Sequence, residues 1–162
     1  SVKQMMHPDF LDDVKSIIYE MNISPNRLIF EITETVAVQN SELATQILTE
    51  LNNSGIKTAL DDFGTGYSSL SILKLLPIQQ VKVDRSFIVE MEQDGEKSLV
   101  ILQGVLDIVN NLGMSTVMEG VETLEQLELL REMGAHKVQG YLISRPVVAE
   151  LAIELRKQTW MH

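Results

Sequence analysis

The chain has 162 residues, a formal net charge of −10 and 44% hydrophobic residues, enough for one well-buried core and no second domain. The acidic balance argues against a nucleic-acid polymer as partner, because backbone binding relies on Lys and Arg to displace counterions, and it disfavours attachment to anionic membranes. With no cysteine, disulfides, zinc–thiolate sites and thiol catalysis are excluded, which suits a reducing cytosol, and no apolar run reaches transmembrane length.

In chain order, Phe10, Leu11, Val14, Ile17 and Ile18 fall on one face and predict a helix over 8–21. A strand comes next over 27–33, then a helix over 41–53 stopped by Gly55, and a second strand over 57–61. A short helix over 69–76 ends at Pro77, ahead of a third strand over 80–84. A helix over 95–112, a strand over 115–119, a helix over 124–133, a strand over 137–143 and a last helix over 147–158 complete the pattern. Alternation of this kind implies a parallel sheet of right-handed βαβ units, an α/β fold.

Side chains in a strand alternate between two faces. Glu31 and Thr33 share one face of the first strand, Ala59 and Asp61 of the second, Lys82 and Asp84 of the third. Val117 and Glu119 pair on the fourth, Gln139 and Tyr141 on the fifth. Every strand thus places a polar or ionisable group near its C-terminal end. An open doubly wound sheet tolerates such groups only at its tips, whereas a closed barrel gathers them in the mouth where TIM-barrel chemistry sits.

The most informative stretch is Asp61-Asp62-Phe63-Gly64-Thr65-Gly66-Tyr67-Ser68-Ser69. Two adjacent carboxylates at a strand end repel unless a cation lies between them, and hard oxygen ligands suit Mg²⁺ or Mn²⁺. A βα turn in which Asp62 or Thr65 caps the next helix is the plainer alternative. His7, His136 and His162 are isolated and lack metal-ligand spacing, and Trp160 is read as packing near the C-terminus. Gly64-Thr65-Gly66 lacks the third glycine of a dinucleotide fingerprint.

Five segments stand in order along nearly the whole chain: Phe30-Glu31-Ile32-Thr33-Glu34, the run from Asp61 to Leu70, Lys82-Val83-Asp84-Arg85-Ser86-Phe87, Glu119-Gly120-Val121-Glu122-Thr123, and Gln139-Gly140-Tyr141-Leu142 with Ser144-Arg145-Pro146. Together they resemble the EAL family of cyclic di-GMP phosphodiesterases. The resemblance implies a (β/α)8 TIM-barrel-like fold, here the C-terminal five βα units. The Glu-Ala-Leu motif itself and a strand-three Asn of the metal site are absent. A full barrel takes about 250 residues, so 1–162 is expected to be an N-terminally truncated EAL domain. Open edges then imply a homodimer or a domain-swapped oligomer.

By resemblance, Glu31, Asp61, Asp62 and Glu119 are metal ligands for a two-ion Mg²⁺ or Mn²⁺ site, with Asp61 bridging. Glu119 is also the general base, and Lys82 orients the attacking water. Gln139 and Asp84 contact the substrate, cyclic di-GMP, which is opened to linear pGpG. Glu34 and Glu122 support the loop carrying Gly64 and Gly66. Structural ion pairs between Lys82 and Glu31 or Asp61 are the plainer alternative, and both roles are compatible. With two ligands of the family outside it, the isolated chain is expected to be inactive or very weak. The alternative is a catalytically inactive EAL module that binds cyclic di-GMP or a protein partner. A response-regulator receiver, also five-stranded with an acidic pair and a lysine, places those residues on different strands. The expected location is the cytoplasm, alone or as the cytoplasmic domain of a larger membrane-anchored sensor.

Overall fold

The structure, a computed structural model, describes residues 2–66 and 70–155. The elements in order are α1 (Val2–Met5), α2 (Phe10–Glu20), β1 (Ile29–Thr33), α3 (Glu34–Gln39), α4 (Ser41–Asn53), β2 (Lys57–Phe63), α5 (Leu70–Leu75), β3 (Gln80–Val83), α6 (Ser86–Asp94), α7 (Glu96–Asn111), β4 (Ser115–Glu119), α8 (Leu124–Glu132), β5 (Lys137–Gln139) and α9 (Ala149–Leu155). All strand pairs are parallel, and the sheet order is β1-β2-β3-β4-β5. Because every right-handed crossover advances in one direction, the helices collect on one face of the sheet. A doubly wound sheet reverses direction, and a receiver has the order 2-1-3-4-5. The observed order therefore excludes the receiver and gives an arc of a TIM-like barrel.

The face under the helices is apolar. Leu60, Val81, Val83 and Met118 are fully buried there against Leu73, Leu102, Leu106, Val109 and Leu130. A second cluster, Ile47, Leu51 and Ile56, takes up the apolar stripe of α2 through Phe10, Leu11, Val14 and Ile18. The alternate residues, Glu31, Asp61, Lys82, Glu119 and Gln139, occupy the opposite, concave face. Packing thus fixes the register that aims the charged groups together.

The structure departs from the sequence pattern in several places, among them the unexpected α1 and a β1 that starts only at Ile29. β2 runs on through Asp62 to Phe63. β5 stops at Gln139, because Gly140 lies so close to the Val121 backbone that a Cβ there would collide with it. Tyr141 is consequently in a turn, with the Arg145 guanidinium 4.4 Å over its ring. Two short helices, α3 and α6, break the one-strand, one-helix alternation. The β-branched Thr35, Val36 and Val38 disguise α3, and its helical turn is held by the burial of Glu34 and Ala37. Tyr67 to Ser69, Trp160 and His162 lie outside the described residues, as does the end of the expected last helix. Among the described residues, no helix is long and apolar enough to cross a membrane.

Candidate active site

At the C-terminal rim of the sheet, Lys82 is the point of convergence. Its ammonium donates to Asp61 Oδ1 at 2.7 Å and Glu31 Oε2 at 3.0 Å, and lies 2.9 Å from Glu119 Oε1. These three carboxylates come from β1, β2 and β4, and the Lys82 side chain is only 10% exposed among them. Burial alone would push the lysine toward the neutral form. Hydrogen bonds to Asp61, Glu119 and Glu31 outweigh that and hold it above the ordinary lysine range.

Asp61 and Asp62 should point to opposite faces of a regular strand. They do not, because the β2–β3 register slips between Leu60 and Phe63 and Asp62 takes a left-handed φ of 57°. A bulge of this kind inserts one unpaired residue and re-aims its side chain. As a result Asp61, Asp62 and Glu119 each offer a carboxylate oxygen, all within 4.8 Å of one another. Burial first, and then the neighbouring Asp61 and Asp84 carboxylates, raise Asp62 above the usual aspartate range, with Lys82 acting in the opposite direction. Four carboxylates against one ammonium leave the cluster strongly negative. An all-oxygen set with uncompensated charge fits a divalent cation such as Mg²⁺ or Mn²⁺.

The glycine-rich segment is tied down from below. Gly64 has φ 102°, and a Cβ on it would collide with the Phe87 ring. Its N–H donates to Glu34 Oε2 at 3.0 Å, and Glu34 is 2% exposed. Gly66 also lies over the Glu34 carboxylate. Thr65 donates from both its N–H and its hydroxyl to the Asp62 carbonyl, which closes the turn directly behind the acidic pair.

Across the rim, Gln139 is the register partner of Glu119. Asp84 comes directly after β3, and its Oδ1 accepts the Ser86 N–H at 2.9 Å, so it opens α6 rather than extending the strand. Glu122 pairs with Arg85 at 3.8 Å, and a Cβ on Gly120 would collide with Arg85. Asp84, Glu119, Glu122 and Gln139 share one concave surface. The structure thus brings Glu31, Asp61, Asp62, Lys82 and Glu119 into one cluster. It places Glu34, Gly64 and Gly66 on one flank, and Asp84, Glu122 and Gln139 on the other. Three participants are given no role by the sequence pattern: Arg85 and Phe87, which stand inside the segment from Lys82 to Phe87, and Gln126, whose side-chain oxygen accepts the Glu122 N–H. Only Gln126 carries a legible local signal, the Thr123-x-x-Gln126 pattern of a capping box.

Comparison with known proteins gives concordant matches. A model of the EAL domain family matches residues 1–146. The chain is 37% identical over 150 residues to the bifunctional diguanylate cyclase/cyclic di-GMP phosphodiesterase MucR of Pseudomonas aeruginosa, covering 93% of this chain and 22% of that protein. It is 38% identical over 137 residues to the cyclic di-GMP phosphodiesterase NbdA of the same organism, covering 85% of this chain and 17% of NbdA. The solved MucR phosphodiesterase, in complex with c-di-GMP, matches with a TM-score of 0.87 at 36% identity, over 94% of this chain and 61% of that one. The EAL domain of Mycobacterium smegmatis DcpA matches with a TM-score of 0.85 at 38% identity, over 95% and 69%. The chain spans about a fifth of the length of the curated relatives it matches.

Proposed function

The chain belongs to the EAL domain family, and from that premise we propose that it is a metal-dependent phosphodiesterase that opens cyclic di-GMP to linear pGpG. The observation that carries this reading is the convergence of Glu31, Asp61 and Glu119 on Lys82, with Asp62 alongside. Relatives named for cyclic di-GMP hydrolysis and a relative solved with c-di-GMP support the substrate.

Mg²⁺ or Mn²⁺ ions, held by Glu31, Asp61, Asp62 and Glu119, would supply an acidified water and stabilise charge at phosphorus. Lys82, kept protonated by its three partners, adds a fixed positive charge beside the reacting phosphodiester. Glu119 acts as general base. It takes a proton from water as the water oxygen bonds to phosphorus, and the bond from phosphorus to one ribose oxygen breaks. That oxygen leaves as a hydroxyl by taking up a proton, so that water's two hydrogens end on the new phosphate and the freed ribose oxygen. Gln139 and Asp84, on the adjacent rim, contact the nucleotide. Glu34 fixes Gly64 and Gly66 behind the acidic pair, and Glu122 with Arg85 braces the opposite loop. A cytoplasmic setting and a homodimer or domain-swapped oligomer belong to the same proposal.

Incubation of the complete EAL domain with cyclic di-GMP and Mn²⁺, followed by chromatography, should release pGpG, and the 162-residue chain should do so only very weakly. Glu119→Gln should lower that rate by about 10²-fold or more while nucleotide binding persists. Nucleotide binding without product, in the chain and in the complete EAL domain alike, would instead support a non-catalytic EAL module. Neither binding nor product would sink both readings.

A further inference from the structure

Glu119 is the last residue of β4, so the sheet fixes its backbone on one side only. On the other side an irregular turn, Gly120 to Thr123, leads into α8. Val121 is zipped to the neighbouring strand end: its N–H donates to the Gln139 carbonyl at 3.1 Å, and its carbonyl accepts from Leu142 at 3.0 Å. The next two residues have no such ladder. Their N–H groups, of Glu122 and Thr123, are both accepted by the Gln126 side-chain oxygen, at 2.7 and 3.1 Å. Thr123 Oγ1 in turn accepts the Gln126 N–H at 3.2 Å. The other end of the same amide donates to Glu92 Oε1 on α6 at 2.6 Å, and Gln126 is only 8% exposed.

This use of the residue goes beyond helix capping. A capping box is satisfied by Glu or Gln at the third helical position. Only an amide can accept two backbone N–H groups at one end while donating to a carboxylate at the other. α6 begins two residues after Asp84 and carries Phe87, which packs under Gly64. A single side chain therefore joins the turn behind Glu119 to the helix that also underlies the glycine-rich segment.

We propose that Gln126 is a positioning residue that holds the Glu119 turn against α6 through Glu92, and so sets where the Glu119 carboxylate stands relative to Lys82, Asp61 and Asp62. This rests on the reading of Glu119 as ligand and general base. Partners bonded directly to a metal ligand change affinity or rate by about 10–100-fold. Gln126 acts through the backbone of Glu122 and Thr123, so the lower end, about tenfold, is expected here.

The test uses Gln126→Glu, Glu92→Gln and the reciprocal double variant in the full chain. It measures Mn²⁺ affinity by calorimetry, kcat and KM on cyclic di-GMP, and thermal unfolding. Gln126→Glu keeps the capping box but sets two carboxylates against each other. It should weaken Mn²⁺ binding and kcat by about tenfold with KM little changed, and lower the unfolding temperature by a few degrees. The double variant restores a donor–acceptor pair and should recover wild-type values within about twofold. Wild-type Mn²⁺ affinity and kcat in Gln126→Glu, or no recovery in the double variant, would overturn the inference. A wild-type chain with neither Mn²⁺ binding nor turnover would instead overturn the reading of the site, and the role of Gln126 with it.

Discussion

Within the cluster, Lys82 and Asp62 are under opposite pressures. Lys82 is held protonated by three carboxylates, so its folded-state pKa lies above its unfolded one. Its contribution to stability is complete below the ordinary lysine value and is lost only as pH rises beyond it. It is therefore constant from neutral to mildly alkaline pH, where its three carboxylate partners are ionised. Asp62 has a raised pKa in the fold because it is desolvated and faces Asp61 and Asp84. Its ionisation disfavours the folded state: the penalty is absent below the unfolded value of 3.8, grows as pH rises through the folded one, and persists at neutrality. Asp62→Asn removes that charge and keeps a residue that tolerates the left-handed φ of 57°. With EDTA present it should melt about 1–2 °C higher than wild type at pH 7, and no higher at pH 3. Mn²⁺ should then stabilise the wild type more than the variant. A variant that melts lower at pH 7 without metal would show that Asp62 is not a site of stored repulsion.

At the scale of elements, the segment after β2 depends on its own backbone angle and on two neighbours that are distant in sequence. Gly64 needs a φ of 102°, which other residues rarely adopt. It also needs the space beside Phe87 from α6, and the Glu34 carboxylate from the first turn of α3. Gly64→Ala meets the backbone and steric penalties together, and displacement of the turn would leave a buried carboxylate without one of its donors. The expected loss is about 2–3 kcal/mol, or roughly 5–10 °C in a chain of this size. Adding Phe87→Leu should return the steric part but not the φ part. A Gly64→Ala protein melting within a degree of wild type would refute this account of the turn. The same segment shows where sequence is legible and where it is not. Period-2 alternation announces that Glu31, Asp61, Lys82 and Glu119 share a face, and helix α4 is readable to its ends because Ser41 and Gly55 bracket a clean apolar stripe. The bulge that turns Asp62 toward Asp61 has no signature, since Asp-Asp-Phe is compatible with a regular strand. α3 and α6 are hidden for a related reason: their helicity comes from burying Glu34, Ala37, Ile88 and Met91 against partners far along the chain, not from propensity.

Taken as a whole, the described residues form a sheet with two unpaired sides, where a closed barrel would have none. β1 is bonded only to β2 and β5 only to β4, so each leaves a row of backbone donors and acceptors facing outward. Ile29 on β1 is 44% exposed, and with Val117, Val138 and Ile143 it lines a cavity of about 410 Å³ on the concave face. Edge strands without Pro, bulges or inward charge readily pair with another chain, and the first residues of β1, Ile29 and Phe30, carry none of these guards. The acidic net charge of −10 opposes close approach at low salt, so association should strengthen as salt screens it. Light scattering on a size-exclusion column should therefore show a monomer giving way to dimer or larger species as protein and salt concentrations rise. Ile29→Lys places a charge on the open edge and should move that equilibrium toward monomer by about tenfold, the effect of roughly 1.4 kcal/mol at an interface. Because Ile29 is half exposed and lies away from the main core, the variant should unfold within a few degrees of the wild type. A wild-type chain that stays monomeric at every concentration would mean that its edges are protected by something other than a second copy. Association unaffected by Ile29→Lys would move the contact from β1 to β5 or to the exposed Val147 and Val148 beside it.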